Sequence, residues 1–429
     1  MKNHHEVKKT LGFVVPGIYE GITGFLIVLF FFSGRWHLGR LSNTVSGGIV
    51  NIDLQDFINP LFVPRVWVAL AMIIWLAVTI HLKNTNKGEY SYNRYIKSLS
   101  NTIIAFLFAY MCTAFWSRSL EYSLPKLYEL STLFIAAIFT AQICKVIPGE
   151  RVRYAFWFFI VIIAGIFAIN AITNLSSFIS SGYYQIRVFG GGKNTFGRNV
   201  ALLMMASLYF LRYKDKSKLW YLVWYFVLVI SFALVVISGG RGATIGSVVA
   251  LVIYLAIEKY SMVKKMKITI ISIIVLITII YYSPIGKYFI LNMQVRILDQ
   301  TLEKHHLAGR EDIWQTGYDI AMLNPVYGSG LAAYTYYTKT NYPHNFILEM
   351  FIEGGFIYLA LFVSIILLLI LHIIKHRRII DNISVATLIL LFITHQTSGD
   401  IYDARVIFVM MILTLIPKDE SPETGKINS

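Results

Sequence analysis

The sequence predicts an all-α polytopic membrane protein with about twelve transmembrane helices, forming a single integral membrane domain over residues 1–429. Three observations carry this prediction. Hydrophobic residues make up 56% of the chain and charged residues only 14%, against roughly 25% charged in soluble domains. The apolar residues fall in runs long enough to cross about 30 Å of hydrocarbon at about 1.5 Å per helical residue. Basic residues recur in alternate loops, as one side of a bilayer requires.

The apolar runs lie near 11–32, 62–82, 99–116, 130–147, 154–174, 195–212, 218–237, 243–260, 266–283, 346–373, 379–396 and 402–416. Lys8 and Lys9 precede the first, which is too long for a signal peptide and lacks a small-residue cleavage site. Five alternate loops are basic. Lys83, Lys87, Arg94 and Lys97 share one, and Lys145, Arg151 and Arg153 the next. Arg212, Lys214, Lys216 and Lys218 follow, then Lys259, Lys264, Lys265 and Lys267, then Lys375, Arg377 and Arg378. The positive-inside rule makes these loops and both termini cytoplasmic. The polar tail, 418–429, reads as disordered.

The net charge of +15 would suggest nucleic acid in a soluble protein. Here much of it fixes topology, and no nucleic-acid partner is implied; the partner is the lipid bilayer. Cys112 and Cys144 sit in apolar stretches without metal or disulfide spacing and read as structural. No Asp-x-Asp pair or outer cluster of histidine and carboxylate offers a metal site, so neither a metal nor another cofactor is expected.

The largest outward segment, 283–345, is amphipathic: Ile313, Trp314, Tyr318 and Ile320 alternate with Glu311, Asp312 and Asp319. One or two short surface helices are expected in it. A second outward segment, Leu175 to Thr195, is too polar to span.

Four outward positions carry chemistry that the membrane fold does not need. The run from Gly190 to Lys193 leads through Phe196 and Gly197 to Arg198. It lacks the P-loop pattern, but free N–H groups at a helix start suit an anion. The plain alternative is an arginine reaching back to the interface. At Ser238-Gly239-Gly240-Arg241-Gly242-Ala243, small neighbours open Arg241 to a bulky group, and a guanidinium fork suits phosphate. The alternative there is a hairpin turn with a stray charge. Arg310 either joins an anion site or pairs with Glu311 or Asp312 on a solvated face.

Pro343-His344-Asn345 precedes the tenth span. A histidine there is either an ordinary interfacial residue or a neutral base, the neutral form being favoured by the helix dipole. Glu349 and Glu353 follow one turn apart on one face and must meet protein or water. Asp400, Asp403 and Arg405 suggest a salt-bridged helix hairpin, with substrate positioning as the alternative.

In these residues and their order the chain resembles the O-antigen ligase and polymerase superfamily of bacterial membrane glycosyltransferases. The closest motif is His344-Asn345, then nine residues, then Gly355 and Tyr358. The Gly-Arg-Gly-Ala turn at Arg241, Asn-Thr-Phe-Gly-Arg ending at Arg198, Arg310 with Trp314, Asn324-Pro325, and Gly328-Ser329-Gly330 match as well. A departure is Gly239 beside Gly240, where many members carry serine before the arginine.

The resemblance implies a GT-C type fold in the bacterial plasma (inner) membrane, working without nucleotide sugar or metal. It implies transfer of a glycan from undecaprenyl pyrophosphate, on the extracytoplasmic side, to a glycan or lipid-linked acceptor. His344 would be the base, with the pyrophosphate held by Arg241, Arg198 and Arg310. Asn345, Lys193, Glu349 and Glu353 would support them. A chain-length regulator and a flippase of the same pathway are the expected partners. Polymerisation of repeats for a capsule, exopolysaccharide or O-antigen is preferred to ligation of a finished chain. A carrier of lipid-linked sugars is the rival of another class, but it should show internal repeats and broken helices, and the sequence shows neither.

Overall fold

The computed structural model describes residues 16–33, 63–83, 94–174, 192–212, 217–258, 310–340 and 342–417, with isolated positions between 274 and 290. Most of the ninth expected span, Gly190, Gly191 and the tail 418–429 lie outside the described residues. Among the described residues there is no strand.

The helices are α1 (Ile18–Ser33), α2 (Pro64–Lys83), α3 (Arg94–Met111), α4 (Leu120–Val146), α5 (Gly149–Thr173), α6 (Lys193–Leu211) and α7 (Lys218–Ile237). They continue with α8 (Arg241–Ile257), α9 (Arg310–Leu323), α10 (Ala333–Thr338), α11 (Phe346–Lys375), α12 (Asn382–His395) and α13 (Arg405–Thr414). Among the described residues, six helices are long and apolar enough to cross a membrane, and four shorter ones are apolar too. The surface of the long helices fits lipid: Ile74, Ile169, Leu222 and Leu371 are exposed, an arrangement that water would not favour.

Helices α1, α5, α6, α8, α12, α13, α4 and α2 pack each on the next, and α2 returns to α1, closing a ring. Helix α3 lies on α4 and α11, α7 on α6, and α9 on α11. Without a hydrophobic force between helices in lipid, close approach comes from small residues. Gly24 lets α1 meet the α5 backbone, where a side chain would lie 2.6 Å from Ala155. Gly242 and Gly246 do the same for α8 against α12 and the turn that follows it.

Ion pairs mark the two ends of the bundle. At one end Arg153 donates to the Ile416 carbonyl (2.7 Å) and pairs with Glu150, while Arg212 joins Glu150 to Asp381. At the other, Arg405 donates to carbonyls of the last turn of α1, Phe30 (3.2 Å), which also accepts from Ser33 Oγ, and Phe31 (2.9 Å).

Two expectations need correction. The fourth span begins near 120 and not 130. Glu121, Lys126 and Glu129 lower the hydropathy of its first turns and Pro125 reads as a break, yet Lys126 and Glu129 are met by protein. The second correction concerns α11, which is not one continuous rod. Its 30 residues are interrupted at Gly355, where φ is +66° and ψ −165°.

The break is fully hydrogen-bonded by the loop after α9. Ser329 and Gly330 donate their N–H groups to the Ile352 (2.8 Å) and Glu353 (3.0 Å) carbonyls. Phe356 and Ile357 donate theirs to the Pro325 (2.8 Å) and Val326 (3.3 Å) carbonyls. Irregular backbone inside a membrane protein survives only when protein satisfies it in this way. Gly328 and Gly330 take left-handed φ values of +72° and +85°; a Cβ on the first would strike the Glu353 backbone and one on the second the Ser117 backbone. The absence of a broken helix, used above against a carrier, therefore does not hold for this structure.

Candidate active site

The short first half of α11, from Phe346 to the break, begins with a specific cap. The Asn345 side chain accepts from the N–H groups of Ile347 (3.0 Å) and Leu348 (3.1 Å). That is a structural task for a residue placed at the site by sequence, worth about 1 kcal/mol. His344 stands just before it with φ +58°, a left-handed conformation that histidine adopts more readily than most residues. The preceding carbonyl, of Pro343, accepts from Trp314 Nε1 on α9 (3.1 Å). Trp314 is one turn beyond Arg310, so one helix fixes both the arginine and the approach to His344.

The His344 ring meets the Tyr342 ring edge-on with centroids 4.7 Å apart. Its Nδ1 is buried and has no hydrogen-bond partner among the described residues. Burial, and then the Arg310 guanidinium, push the imidazole below its ordinary pKa, while Asp403 and Asp400 act the other way. Burial and a cation both disfavour the protonated ring, so His344 is neutral at pH 7. A buried polar nitrogen without a partner is uncommon and calls for a reason.

Two arginines from separate parts of the chain are linked to this ring: Arg310 acts on His344, and Arg241 acts on Arg310. Arg310 opens α9 and Arg241 opens α8. Burial and the charge of Arg241 both lower the Arg310 pKa, so two guanidiniums repel across a partly desolvated space. They remain charged, and an anion between them would relieve the repulsion.

Arg241 owes its place to a tight turn. Gly239 has φ +72°, and Ser238 Oγ accepts from Gly240 N–H (3.1 Å) while donating to the Val235 carbonyl (2.6 Å). Helix α6 presses on that turn at Gly197, where a Cβ would stand 2.7 Å from Ser238 Oγ. The next residue, Arg198, donates to the Ser398 carbonyl (3.4 Å) and lies within electrostatic range of Asp403 and Tyr342. It points into the protein and does not reach back to an interface. Lys193 heads the same helix, but it is not among the charges acting on His344.

The turn between α12 and α13 completes this end. Asp403 N–H donates to Asp400 Oδ1 (2.8 Å), and Arg405 pairs with Asp403 (3.5 Å), which makes the expected salt-bridged hairpin. Two neighbours were not anticipated. Arg65 and Arg405 cover Tyr402 at 5.0 and 4.9 Å, and Arg65 also pairs with Glu129 (3.2 Å).

The other is Lys126, whose ammonium pairs with both Glu349 and Glu353. Glu353 also accepts from Tyr110 and from Ala332 N–H (2.7 Å), and Glu349 accepts from Ile401 N–H (2.7 Å). The carboxylates are 1% and 0% exposed, so they meet protein and not water. The signal for Lys126 in the sequence was a basic residue three positions before Glu129, hidden by the misplaced helix start. Among the described residues, no group of three or more His, Cys, Asp or Glu is arranged to hold a metal ion.

No curated protein is similar enough in sequence to be matched. A family model described as O-antigen ligase matches residues 226–363. The matched stretch runs from α7 into α11 and includes Arg241, Arg310, His344, Glu349 and Glu353, while Arg198 falls before it. The match supports glycan transfer of the O-antigen ligase and polymerase type at family level. Over this segment the chain is similar to the O-antigen ligase family, which supports a place in the O-antigen ligase/polymerase superfamily.

Proposed function

We propose that the protein transfers a glycan from undecaprenyl pyrophosphate to a sugar hydroxyl, at the extracytoplasmic face of a bacterial plasma membrane, and that it polymerises repeat units of a surface polysaccharide. The observation that supports this most is a neutral histidine whose Nδ1 has no hydrogen-bond partner among the described residues, with Arg310 acting on it and Arg241 acting on Arg310. The donor pyrophosphate lies against Arg241 and Arg310, with Arg198 beside them. His344 takes the proton of the acceptor hydroxyl. The oxygen attacks the anomeric carbon, the bond to the pyrophosphate breaks, and undecaprenyl pyrophosphate leaves with the electron pair. One direct displacement inverts the anomeric centre.

Each part has a physical reason. A base must be unprotonated at working pH, and burial with Arg310 nearby keeps His344 so. Negative charge grows on the leaving group, and fixed cations in a dry site stabilise it without reorganising. The arginines take the task that a divalent cation performs in other transferases.

The test is incubation of the purified protein with an undecaprenyl-pyrophosphate-linked repeat, the products being resolved by size. A ladder of repeats is expected. A single transfer to an added acceptor would indicate a ligase, and movement across the bilayer without new glycosidic bonds would indicate a carrier.

A further inference from the structure

We infer that Lys126 is a positioning residue for the reaction: its ammonium holds the short half-helix that follows His344 in register with the two loops that close the site. The inference rests on the reading of His344 as the base, and it adds a residue from outside the matched family segment.

The geometry is as follows. The half-helix from Phe346 to the break at Gly355 is too short to hold itself in place, since isolated helices below about 12 residues are marginal. Its buried face carries Glu349 and Glu353. Lys126, from α4, pairs with both. Through Glu353 the pair reaches Tyr110 of α3 and the backbone of Ala332, in the loop that plugs the break. Through Glu349 it reaches the backbone of Ile401, between Asp400 and Asp403, the two carboxylates that act on His344. One cation therefore ties α3, α4, the half-helix and both loops together. Lys126 does not act on His344 directly, so its influence passes through position.

A buried pair that loses one partner leaves an uncompensated charge, which is far worse than losing both. Lys126 with Glu349 and Glu353 carries one net negative charge when all three are ionised. Removing the ammonium makes this two, and removing one carboxylate as well returns it to one. Gln at 353 can still accept from Ala332 N–H. This yields a test that bare structural damage does not mimic.

The experiment measures kcat and the donor KM of the full-length protein in lipid vesicles for four variants: Lys126→Met, Lys126→Arg, Lys126→Met with Glu353→Gln, and His344→Ala. Lys126→Met is expected to lower kcat at least 30-fold with the donor KM within about threefold, because the arginines are untouched. Lys126→Arg should retain most of kcat. The double variant should recover at least tenfold over Lys126→Met. The inference is overturned if Lys126→Met keeps its kcat, or if the double variant is no better than Lys126→Met. A Lys126→Met protein that fails to fold is decided by the double variant: a folded protein with kcat still below wild type upholds the clamp, and a folded protein with wild-type kcat overturns it, because no ammonium is then needed. Full activity in His344→Ala removes the base itself, whatever the Lys126 variants do.

Discussion

His344 works, in this account, because its surroundings settle its protonation. Arg310 and burial depress its pKa, and Asp403 and Asp400 raise it. Two opposed consequences follow for kcat/KM, which should rise with pH to a plateau, with an acid midpoint below about 6.5. Arg310→Gln removes a cation that disfavours the imidazolium. The pKa rises and the acid limb moves to higher pH, on top of a general loss of rate. Asp403→Asn removes an anion that favours the imidazolium, so the limb moves to lower pH. Shifts in the same direction, or none, would mean that another group titrates. At this scale the sequence told much. Arginine in a glycine turn and histidine before a helix cap are types with few structural uses at a membrane boundary. It did not tell that Asn345 is spent on capping, since capping and catalysis both favour a small polar residue there.

At the scale of elements the decisive feature is the break in α11 and the loop that fills it. Gly355 has φ +66°, and a Cβ there would collide with the Val326 carbonyl. Gly355→Ala should therefore cost about 1–3 kcal/mol for a backbone conformation that essentially only glycine adopts and more for the clash. The expected outcome is a lower thermal midpoint in detergent together with reduced turnover. Gly165→Ala, on α5, is the control: nothing lies within 4 Å of that added methyl, and neither midpoint nor turnover should fall. The glycines of Gly328-Ser329-Gly330 and Gly354-Gly355 were visible in the sequence as motifs. Their purpose was not, because it requires two segments 25 residues apart to share hydrogen bonds. Hydropathy alone reads Phe346–Lys375 as a single run. The same blindness displaced the start of α4. Lys126 and Glu129 look like loop residues until Glu349 and Arg65 stand opposite them.

For the whole molecule, the ring of helices separates two kinds of charge. Arg153, Arg212, Glu150 and Asp381 pair at one end, while Arg241, Arg310, Arg405 and His344 gather at the other. The positive-inside rule, applied to the basic loops, predicts that the first end is cytoplasmic. Single cysteines introduced at Tyr337 and Arg377, with Cys112 and Cys144 replaced, should then react differently with an impermeant thiol reagent applied to intact cells. Position 337 should label from outside and position 377 only after lysis; the reverse pattern would turn the site toward the cytoplasm. The alternation of basic loops in the sequence is what carries this expectation. The closed order of the ring was not, because packing between apolar helices leaves no periodic mark once every face is hydrophobic.

The measurement that bears most directly on the account is the release of undecaprenyl pyrophosphate and the formation of new glycosidic bonds by purified His344→Ala, in vesicles, beside the wild-type protein. The account predicts that the variant folds and still binds the lipid-linked donor, because Arg241 and Arg310 remain, while turnover falls by about 10²–10⁴-fold. Turnover equal to that of the wild type would contradict it, since no imidazole would then be needed to take the proton.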